Sequence, residues 1–452
     1  MNRLEEYTEM MNMLEPIPSS ACVEKAIRRK RRKDVIWRTC GSIAAVFCLF
    51  VGAINLSPAA EAACQGIPFL QVLTDLLIFR PSIRMAIEND YLQVIDLEQS
   101  KQGITASVEY LVVDQKQINI YYRLKSDRYE VLSATPDLKD TAGNRISAAI
   151  SSGGLYDDNE ELREITVDFM EEDVPDTLML TLNVYDNGSS TAVAPVCESE
   201  FWEPEEPEII AEFPFELHFD PYYTEQGTHV SLDQKVDLDG QSITITGMEI
   251  YPSHIRIHVE EDPGNTARVA SLRFYLESDD GKRINTIRNG ITATGDASSP
   301  YVTIYRAESN YFTDGDLIRM QITGADFLDL ERKDVRVNLR TLEHDPLPEG
   351  TKIQSARETE HGWILTFGIR KTEEQHAQLL GSMYEDWNGT EYEITQFSSS
   401  MELYDENGSP VEGWEEETYY LEDLKTDEVM LHVLHNRYWN PSEPVTVELK
   451  SN

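Results

Sequence analysis

The stretch that decides the fold class of this chain is Gln117-Ile118-Asn119-Ile120-Tyr121-Tyr122-Arg123-Leu124. Its apolar and polar side chains largely alternate, and it is rich in β-branched and aromatic types, the pattern of a half-buried β-strand. The stretch His254-Ile255-Arg256-Ile257-His258-Val259 shows the same pattern. Turn sequences such as Ala142-Gly143-Asn144 and Asp280-Gly281-Lys282 separate stretches of this kind. The sequence therefore predicts a mostly β protein with antiparallel strands.

The strand patterns recur in a fixed order along the chain. Each repeat has four parts: a hairpin that begins at a glycine, a strand-turn-strand, an alternating strand and a closing strand. The hairpins span 103–124, 240–261 and 350–371, and the strand-turn-strand segments span 138–146, 276–284 and 403–411. The alternating strands span 177–185, 317–323 and 428–434, and the closing strands span 213–219, 335–342 and 445–449.

About three antiparallel, immunoglobulin-like β-sandwich units follow from this repeat, because many short strands with regular turns are typical of that fold. We place the units at residues 93–225, 226–345 and 346–452. The cysteine and tryptophan hallmarks of antibody domains are absent from the sequence, so the strand topology stays open.

The N-terminal part of the chain predicts a single transmembrane helix. Residues 39–56 carry no charged side chain, and residues 35–56 are long enough to cross about 30 Å of hydrocarbon. Trp37 lies where an interfacial aromatic side chain is expected, and the positive-inside rule places the basic cluster and the N-terminus in the cytoplasm. The basic cluster consists of Arg28, Arg29, Lys30, Arg31, Arg32 and Lys33.

The alternative to a transmembrane helix is a cleaved signal peptide, since residues 58–63, directly after the apolar run, are mostly small. The long N-terminal region before that run favours an anchor that stays in the cell membrane. Residues 57–92 then form a juxtamembrane helical segment, in which Pro81 begins a short helix through Met85 and Ile87.

The predicted cytoplasmic segment, residues 1–34, contains one apolar stripe. Leu4, Tyr7, Met11 and Leu14 recur at the three- to four-residue spacing of an amphipathic helix. So short a segment does not make an independent domain. The stripe is therefore either a helix that binds a partner or part of a weakly ordered tail.

The net charge of −42, from 39 basic and 81 acidic residues, argues against nucleic-acid binding, because so acidic a protein repels phosphates. We interpret the charge as solvation of an exposed domain, and binding of cations or basic cell-wall groups is the alternative. The five cysteines are too unevenly spaced for a disulfide framework, and no spacing suits zinc.

No catalytic motif is present in the sequence, and we expect no enzyme, cofactor or metal site. His254 and His258 share strand parity and could face one metal ion, but we predict that they lie on the solvent face, opposite Ile255 and Ile257. The spacing of Asp233, Asp237, Asp239 and Gly240 does not fit a calcium-binding loop.

The order of motifs from Ser57 to Leu124 resembles the family of domain of unknown function 4179 (DUF4179). The resemblance rests on Ser57-Pro58-Ala59 after the predicted membrane helix and on residues 67–70 and 85–91. It also rests on Gly103-Ile104-Thr105 before the strand 118–124. This family occurs in Gram-positive membrane proteins that are often encoded beside extracytoplasmic-function sigma factors. Residues 243–284 are similar to the immunoglobulin-like domain that often follows in such proteins.

The resemblance implies an anti-sigma factor, a membrane-anchored envelope regulator that sequesters a sigma factor through its cytoplasmic N-terminus. The His-x-x-x-Cys-x-x-Cys motif of zinc-binding anti-sigma domains is absent, so binding would depend on the stripe of Leu4, Tyr7, Met11 and Leu14. The alternative function is a surface adhesion or scaffold protein without a signalling role.

Overall fold

The computed structural model describes residues 80–152, 162–186, 208–224, 227–287, 291–295, 302–313, 315–371, 378–404 and 409–449. The chain divides into two compact regions, Met1–Asp75 and Leu76–Asn452. Every described residue belongs to the C-terminal region. The predicted cytoplasmic segment and transmembrane helix lie outside the described residues. No helix within the described ranges is both long and apolar enough to cross a membrane.

The described part is mostly β, with several antiparallel sheets, and begins with one short helix, α1 (Pro81–Glu88). Pro81 stands in the first turn, where its fixed φ and missing N–H are tolerated. The predicted helix start at Pro81 is therefore confirmed. The buried face of α1 carries Ile83, Ala86 and Ile87.

The first two-sheet unit follows α1. Its strands are β1 (Leu92–Lys101), β2 (Ile104–Val113), β3 (Gln117–Ser126), β4 (Leu132–Lys139), β5 (Ala148–Ser152), β6 (Arg163–Phe169), β7 (Thr177–Asp186) and β8 (Ile209–His218), followed by the helical turn α2 (Pro221–Thr224). One sheet has the order β1-β2-β3-β6-β5 and the other β4-β7-β8. The apolar side chains of both sheets form one core.

Strand β3 is buried on both faces, so the prediction of a half-buried strand is wrong here. Ile118 and Ile120 point into the core, while Asn119 and Tyr121 are buried on the other face. On that face, Asn119 and Tyr121 donate hydrogen bonds to the carboxylate of Glu164. The same carboxylate forms an ion pair with Arg80 at the start of α1, which covers the face. Alternation gives the two faces of a strand, but it does not show what covers the polar one.

The second unit has the strands β9 (Thr228–Leu238), β10 (Gln241–Ile250), β11 (Ile255–Glu261), β12 (Ala267–Ser278), β13 (Arg283–Asn285), β14 (Ala293–Gly295), β15 (Val302–Ala307) and β16 (Leu317–Asp329), and a 3-10 turn at Leu330–Arg332. One sheet has the order β14-β15-β11-β10-β9, and β13-β12-β16 belong to the other. The hairpin turn between β9 and β10 has positive φ at both Asp239 (55°) and Gly240 (81°), as a tight two-residue β-hairpin requires.

The third unit has the strands β17 (Asp334–Asn338), β18 (Thr351–Thr359), β19 (Gly362–Arg370), β20 (Leu380–Asp386), β21 (Glu391–Glu393), β22 (Gln396–Ser400), β23 (Leu403–Tyr404), β24 (Pro410–Val411), β25 (Trp414–Glu422) and β26 (Glu428–Val433). Its two main sheets have the orders β17-β26-β20-β21 and β18-β19-β25-β22. The chain then returns to the second unit through β27 (Arg437–Trp439) and β28 (Val445–Glu448), which both pair with β16.

The repeat predicted from the sequence is present in the strand pairing. The glycine-initiated hairpins correspond to β2–β3, β10–β11 and β18–β19, which are antiparallel pairs. The strand-turn-strand segments also pair as predicted, for example at Leu276 with Ile284 and at Leu403 with Val411.

The closing strands of the second and third units are exchanged relative to the prediction. Residues 335–342 were expected to close the second unit, but β17 pairs with β26 and contributes Val335 and Val337 to the third core. The last strand, β28, pairs with β16 and contributes Val447 to the second core. Both strands have similar alternating patterns, so periodicity alone could not distinguish their partners.

This exchange predicts that a change at the chain end destabilises the second unit. We expect Leu449→Ala, at a side chain that is 2% exposed, to lower the free energy of unfolding by about 2–5 kcal/mol. Hydrogen exchange should become faster in β16 and stay unchanged in β26. Leu434→Ala, at a side chain that is 40% exposed, is the control and should change stability by less than about 0.5 kcal/mol. Faster exchange in β26 alone would contradict the pairing.

Candidate functional site

A cluster of charged side chains lies buried between the first and second units. Asp114, in the turn after β2, and Asp168, on β6, come from the first unit, while His254, Arg256 and Arg306 come from the second. None of the five is more than 1% exposed. We call these five residues the joint. Buried charges of this kind are tolerated only when they are paired and hydrogen-bonded.

Asp168 is the centre of the joint, because its carboxylate binds two guanidinium groups. The Nε and Nη2 atoms of Arg306 donate to the two carboxylate oxygens of Asp168 at 2.7 and 2.8 Å. Arg256 donates from Nη2 to Asp168 Oδ1 and also to the carbonyl oxygen of Phe169, the latter at 2.7 Å. Two-point contacts of this kind fix orientation as well as distance. One carboxylate of the first unit therefore holds two strands, β11 and β15, of the second.

Asp114 makes the second connection between the units. Its Oδ1 accepts the backbone N–H groups of Lys116 and Gln117, which fixes the turn, and its Oδ2 accepts the backbone N–H (3.0 Å) and hydroxyl (2.6 Å) of Ser253. Burial by itself would raise the pKa of Asp114, but the neighbouring His254 and these hydrogen bonds outweigh it and lower the pKa below the ordinary value. The carboxylate is therefore kept ionised inside the protein.

His254 is fully buried, so the prediction that it lies on the solvent face is wrong. It precedes β11 and faces the first unit instead. Arg256 Nε donates to His254 Nε2 at 3.2 Å. His254 Nδ1 is hydrogen-bonded to Ser253 Oγ at 2.8 Å, and the Ser253 hydroxyl donates its proton to Asp114. The result is a chain of hydrogen bonds that crosses from one unit to the other.

His258 is separated from His254 and pairs with Glu249, at 3.4 Å between Nε2 and Oε1. His229 approaches the same carboxylate oxygen at 3.5 Å, and the Tyr251 hydroxyl donates to the other oxygen at 3.0 Å. Within the described ranges, no group of three or more histidine, cysteine, aspartate or glutamate residues is arranged to hold one.

Helix α1 lies across both units next to the joint. On the first unit, Arg80 donates to Glu164 at 2.5 Å and to Thr166 at 3.2 Å. On the second, Glu308 accepts the backbone N–H of Ser82 at 2.9 Å and also the Ser82 hydroxyl. A carboxylate at this position satisfies a free N–H of the first helical turn and interacts favourably with the helix dipole. The helix start is thus capped by the second unit and not by its own sequence.

The chain that leaves α1 is also packed against several segments. Tyr91, 4% exposed, contacts Tyr223 and Phe312, with ring centroids 5.2 Å apart in each case. Both contacts have the edge-to-face geometry that aromatic pairs prefer. The segment from Arg80 to Tyr91 is therefore fixed to its surroundings at both ends.

The joint was not predicted from the sequence, and the site residues that were predicted lie outside the described residues. These are Leu4, Tyr7, Met11 and Leu14, the basic cluster from Arg28 to Lys33, and Trp37. One signal was available: Arg256 stands in a strand-like stretch between two isoleucines. A charged residue there is ordinary on a solvent face, so the pattern did not single it out.

The joint predicts a large cost for the loss of one charge. We expect Asp168→Asn to lower the free energy of unfolding by about 3–5 kcal/mol in urea denaturation, because two buried guanidinium groups lose their shared anion. The matched control is Asp427→Asn, which breaks an exposed two-point contact with Arg340 of similar length (2.8 and 2.9 Å). This control should have a much smaller effect than Asp168→Asn, because solvent screens an exposed pair. Equal effects of the two variants would contradict the role of burial.

Glu249 predicts a dependence of stability on pH. Burial would raise its pKa, but His258, Tyr251 and Arg256 outweigh burial and lower the pKa to about 2, below the ordinary value of 4.5. The stabilisation is therefore complete above about pH 4.5 and is lost as the pH falls toward about 2.

The measurement compares the original chain with Glu249→Gln by urea denaturation between pH 7 and pH 3. We expect a difference on the order of 1–3 kcal/mol at pH 7 that shrinks below pH 4.5. Glu358→Gln, at an exposed pair with Arg340, is the control and should show no such trend. A difference that stays constant with pH would refute this assignment.

Two family models match the chain, and they fall on opposite sides of the joint. The model described as "Domain of unknown function (DUF4179)" matches residues 31–126, which include Arg80 and Asp114. The model described as "Family of unknown function (DUF5643)" matches residues 227–348, which include His254, Arg256 and Arg306. No curated protein matches the chain.

Among solved structures, the crystal structure of the conserved domain protein from Bacillus anthracis is similar at 11% identity and a TM-score of 0.37. The similarity covers 57% of this chain and 85% of that one. By the two family matches, the chain contains a DUF4179 domain at residues 31–126, followed by a DUF5643 domain at residues 227–348.

Proposed function

We propose that this chain is a single-pass membrane regulator of transcription, an anti-sigma factor whose immunoglobulin-like β units sense the cell envelope. A transmembrane helix at residues 35–56 separates the two parts. Residues 1–34 bind an extracytoplasmic-function sigma factor on the cytoplasmic side. The observation that carries the proposal is the position of α1, the first described element after the membrane segment, across both units at the joint.

The position of α1 supplies a physical route for a signal. A movement of the second unit relative to the first separates Asp168 from its two arginines and Glu308 from Ser82. The cap on α1 is lost in the same step, since the carboxylate that provides it belongs to the second unit. A ligand that binds more tightly to one arrangement of the units therefore changes the state of the chain that leads to the membrane.

The DUF4179 match supports the cytoplasmic half of the proposal, because this family occurs in membrane proteins that are often encoded beside extracytoplasmic-function sigma factors. The stripe of Leu4, Tyr7, Met11 and Leu14 supplies the contact surface. An amphipathic helix of this kind binds by laying its apolar face into a groove of the partner. Burial of each of these side chains contributes about 1.5–3 kcal/mol.

The test is a binding experiment between the full chain and the sigma factor that is encoded beside it. Leu4→Asp combined with Met11→Asp should weaken binding by at least about 100-fold, because two buried apolar contacts become charged. The matched control is Asn2→Asp combined with Met13→Asp, which adds the same charge away from the stripe and should bind like the original chain. Unchanged binding by the first variant would reject the stripe, and failure of the original chain to bind would reject the proposed function.

A further inference from the structure

The third unit contains a cleft that is separate from the joint. It has a volume of about 610 Å³, within the roughly 300–1,000 Å³ of small-molecule sites, and it lies over the outer face of the sheet β17-β26-β20. Arg336, Met430 and Glu385 form its floor, as direct neighbours on the three adjacent strands. The cleft is therefore built from sheet residues, with loops only at its edges.

Trp387 stands at the edge of this cleft with 64% of its surface exposed. Arg336 lies 5.7 Å from the centre of its ring, a cation–π contact that helps to orient the indole. An exposed tryptophan is unusual, because its large apolar surface is normally buried. The free indole surface therefore offers a flat, apolar platform beside polar groups.

The two walls of the cleft are held in place before any ligand arrives. On the Trp387 side, Asp386 accepts the backbone N–H groups of Asn388 (2.8 Å) and Thr390 (2.9 Å). On the other side, Asp345 donates its backbone N–H to the Arg336 carbonyl oxygen at 3.0 Å and accepts the Arg336 N–H on its carboxylate. A site that is fixed in this way loses little conformational entropy on binding.

The charge of the cleft excludes one class of ligand. Five carboxylates line it: Glu343, Asp345, Glu385, Asp386 and Glu428. The basic side chains of the lining are Arg336 and His344. Anionic polymers are repelled by the carboxylates. Neutral hydroxyl groups can, however, donate hydrogen bonds to carboxylates and exchange hydrogen bonds in both directions with amides. Asn338 and Asn388 add amides to the lining.

We infer that this cleft binds a neutral glycan, with one sugar ring stacked on Trp387 and its hydroxyl groups bonded by the carboxylates and amides. The C–H face of a pyranose ring is apolar and matches the indole, while the ring edge carries hydroxyl groups that match the polar lining. The inference goes beyond the proposed function by naming a ligand class. It does not depend on whether residues 1–34 bind a sigma factor.

The experiment titrates the purified full chain with chitotriose and with cellotriose by calorimetry, in a buffer free of sugar-headed detergent. We expect saturable binding of at least one trisaccharide, with a Kd on the order of 0.1–1 mM. Trp387→Ala should weaken this binding at least about tenfold. The variant should remain folded, because most of the side chain is exposed.

The matched control is Trp414→Ala. Trp414 also has a cation over its ring, Lys352 at 4.4 Å, but it lies on β25 in the other sheet of the same unit. This variant should bind the trisaccharide like the original chain. Two results would overturn the inference: no saturable binding of either trisaccharide, or equal affinity after Trp387→Ala. Binding of trilysine together with the first result would indicate that the cleft takes a cationic ligand instead.

Discussion

The carboxylate of Asp168 is the constraint on which the arrangement of the first two units depends. It lies in the interior with two guanidinium groups around it, and none of the three side chains is more than 1% exposed. A buried ionic cluster of this kind adds little net stability, because desolvation of the charges offsets much of their attraction. Separating the groups is nevertheless costly, because it leaves buried charges unpaired. The interaction therefore specifies one geometry between the units and makes other geometries costly.

The remaining connections extend this constraint along the chain. The third unit, β17 to β26, is inserted in the chain between β16 and β27, so the strands of the second unit come from both sides of the insertion. At the other end, the Glu308 cap makes α1 depend on the second unit as well. The DUF5643 match contains the residues that meet all of these neighbours, which makes the second unit the central element of the described chain.

This organisation places the two proposals at opposite ends of the described chain. The helix that leads toward the N-terminal segment is held at the joint, whereas the cleft with Trp387 lies in the third unit. The inserted topology connects them through the second unit.

The sequence by itself determined the strands, their order and their turns. The hairpins at 103–124, 240–261 and 350–371 depend on alternation and on turn residues such as Gly103 and Gly240, which are properties of neighbouring residues. Only the tertiary structure decided the partners of β17 and β28, the burial of His254 and the cap on α1. The reason is sequence separation: Arg306 and Asp168 lie 138 residues apart, and Glu308 and Ser82 lie 226 apart. No local pattern encodes which distant side chain covers a polar strand face, and the joint and the cleft are both built on such faces.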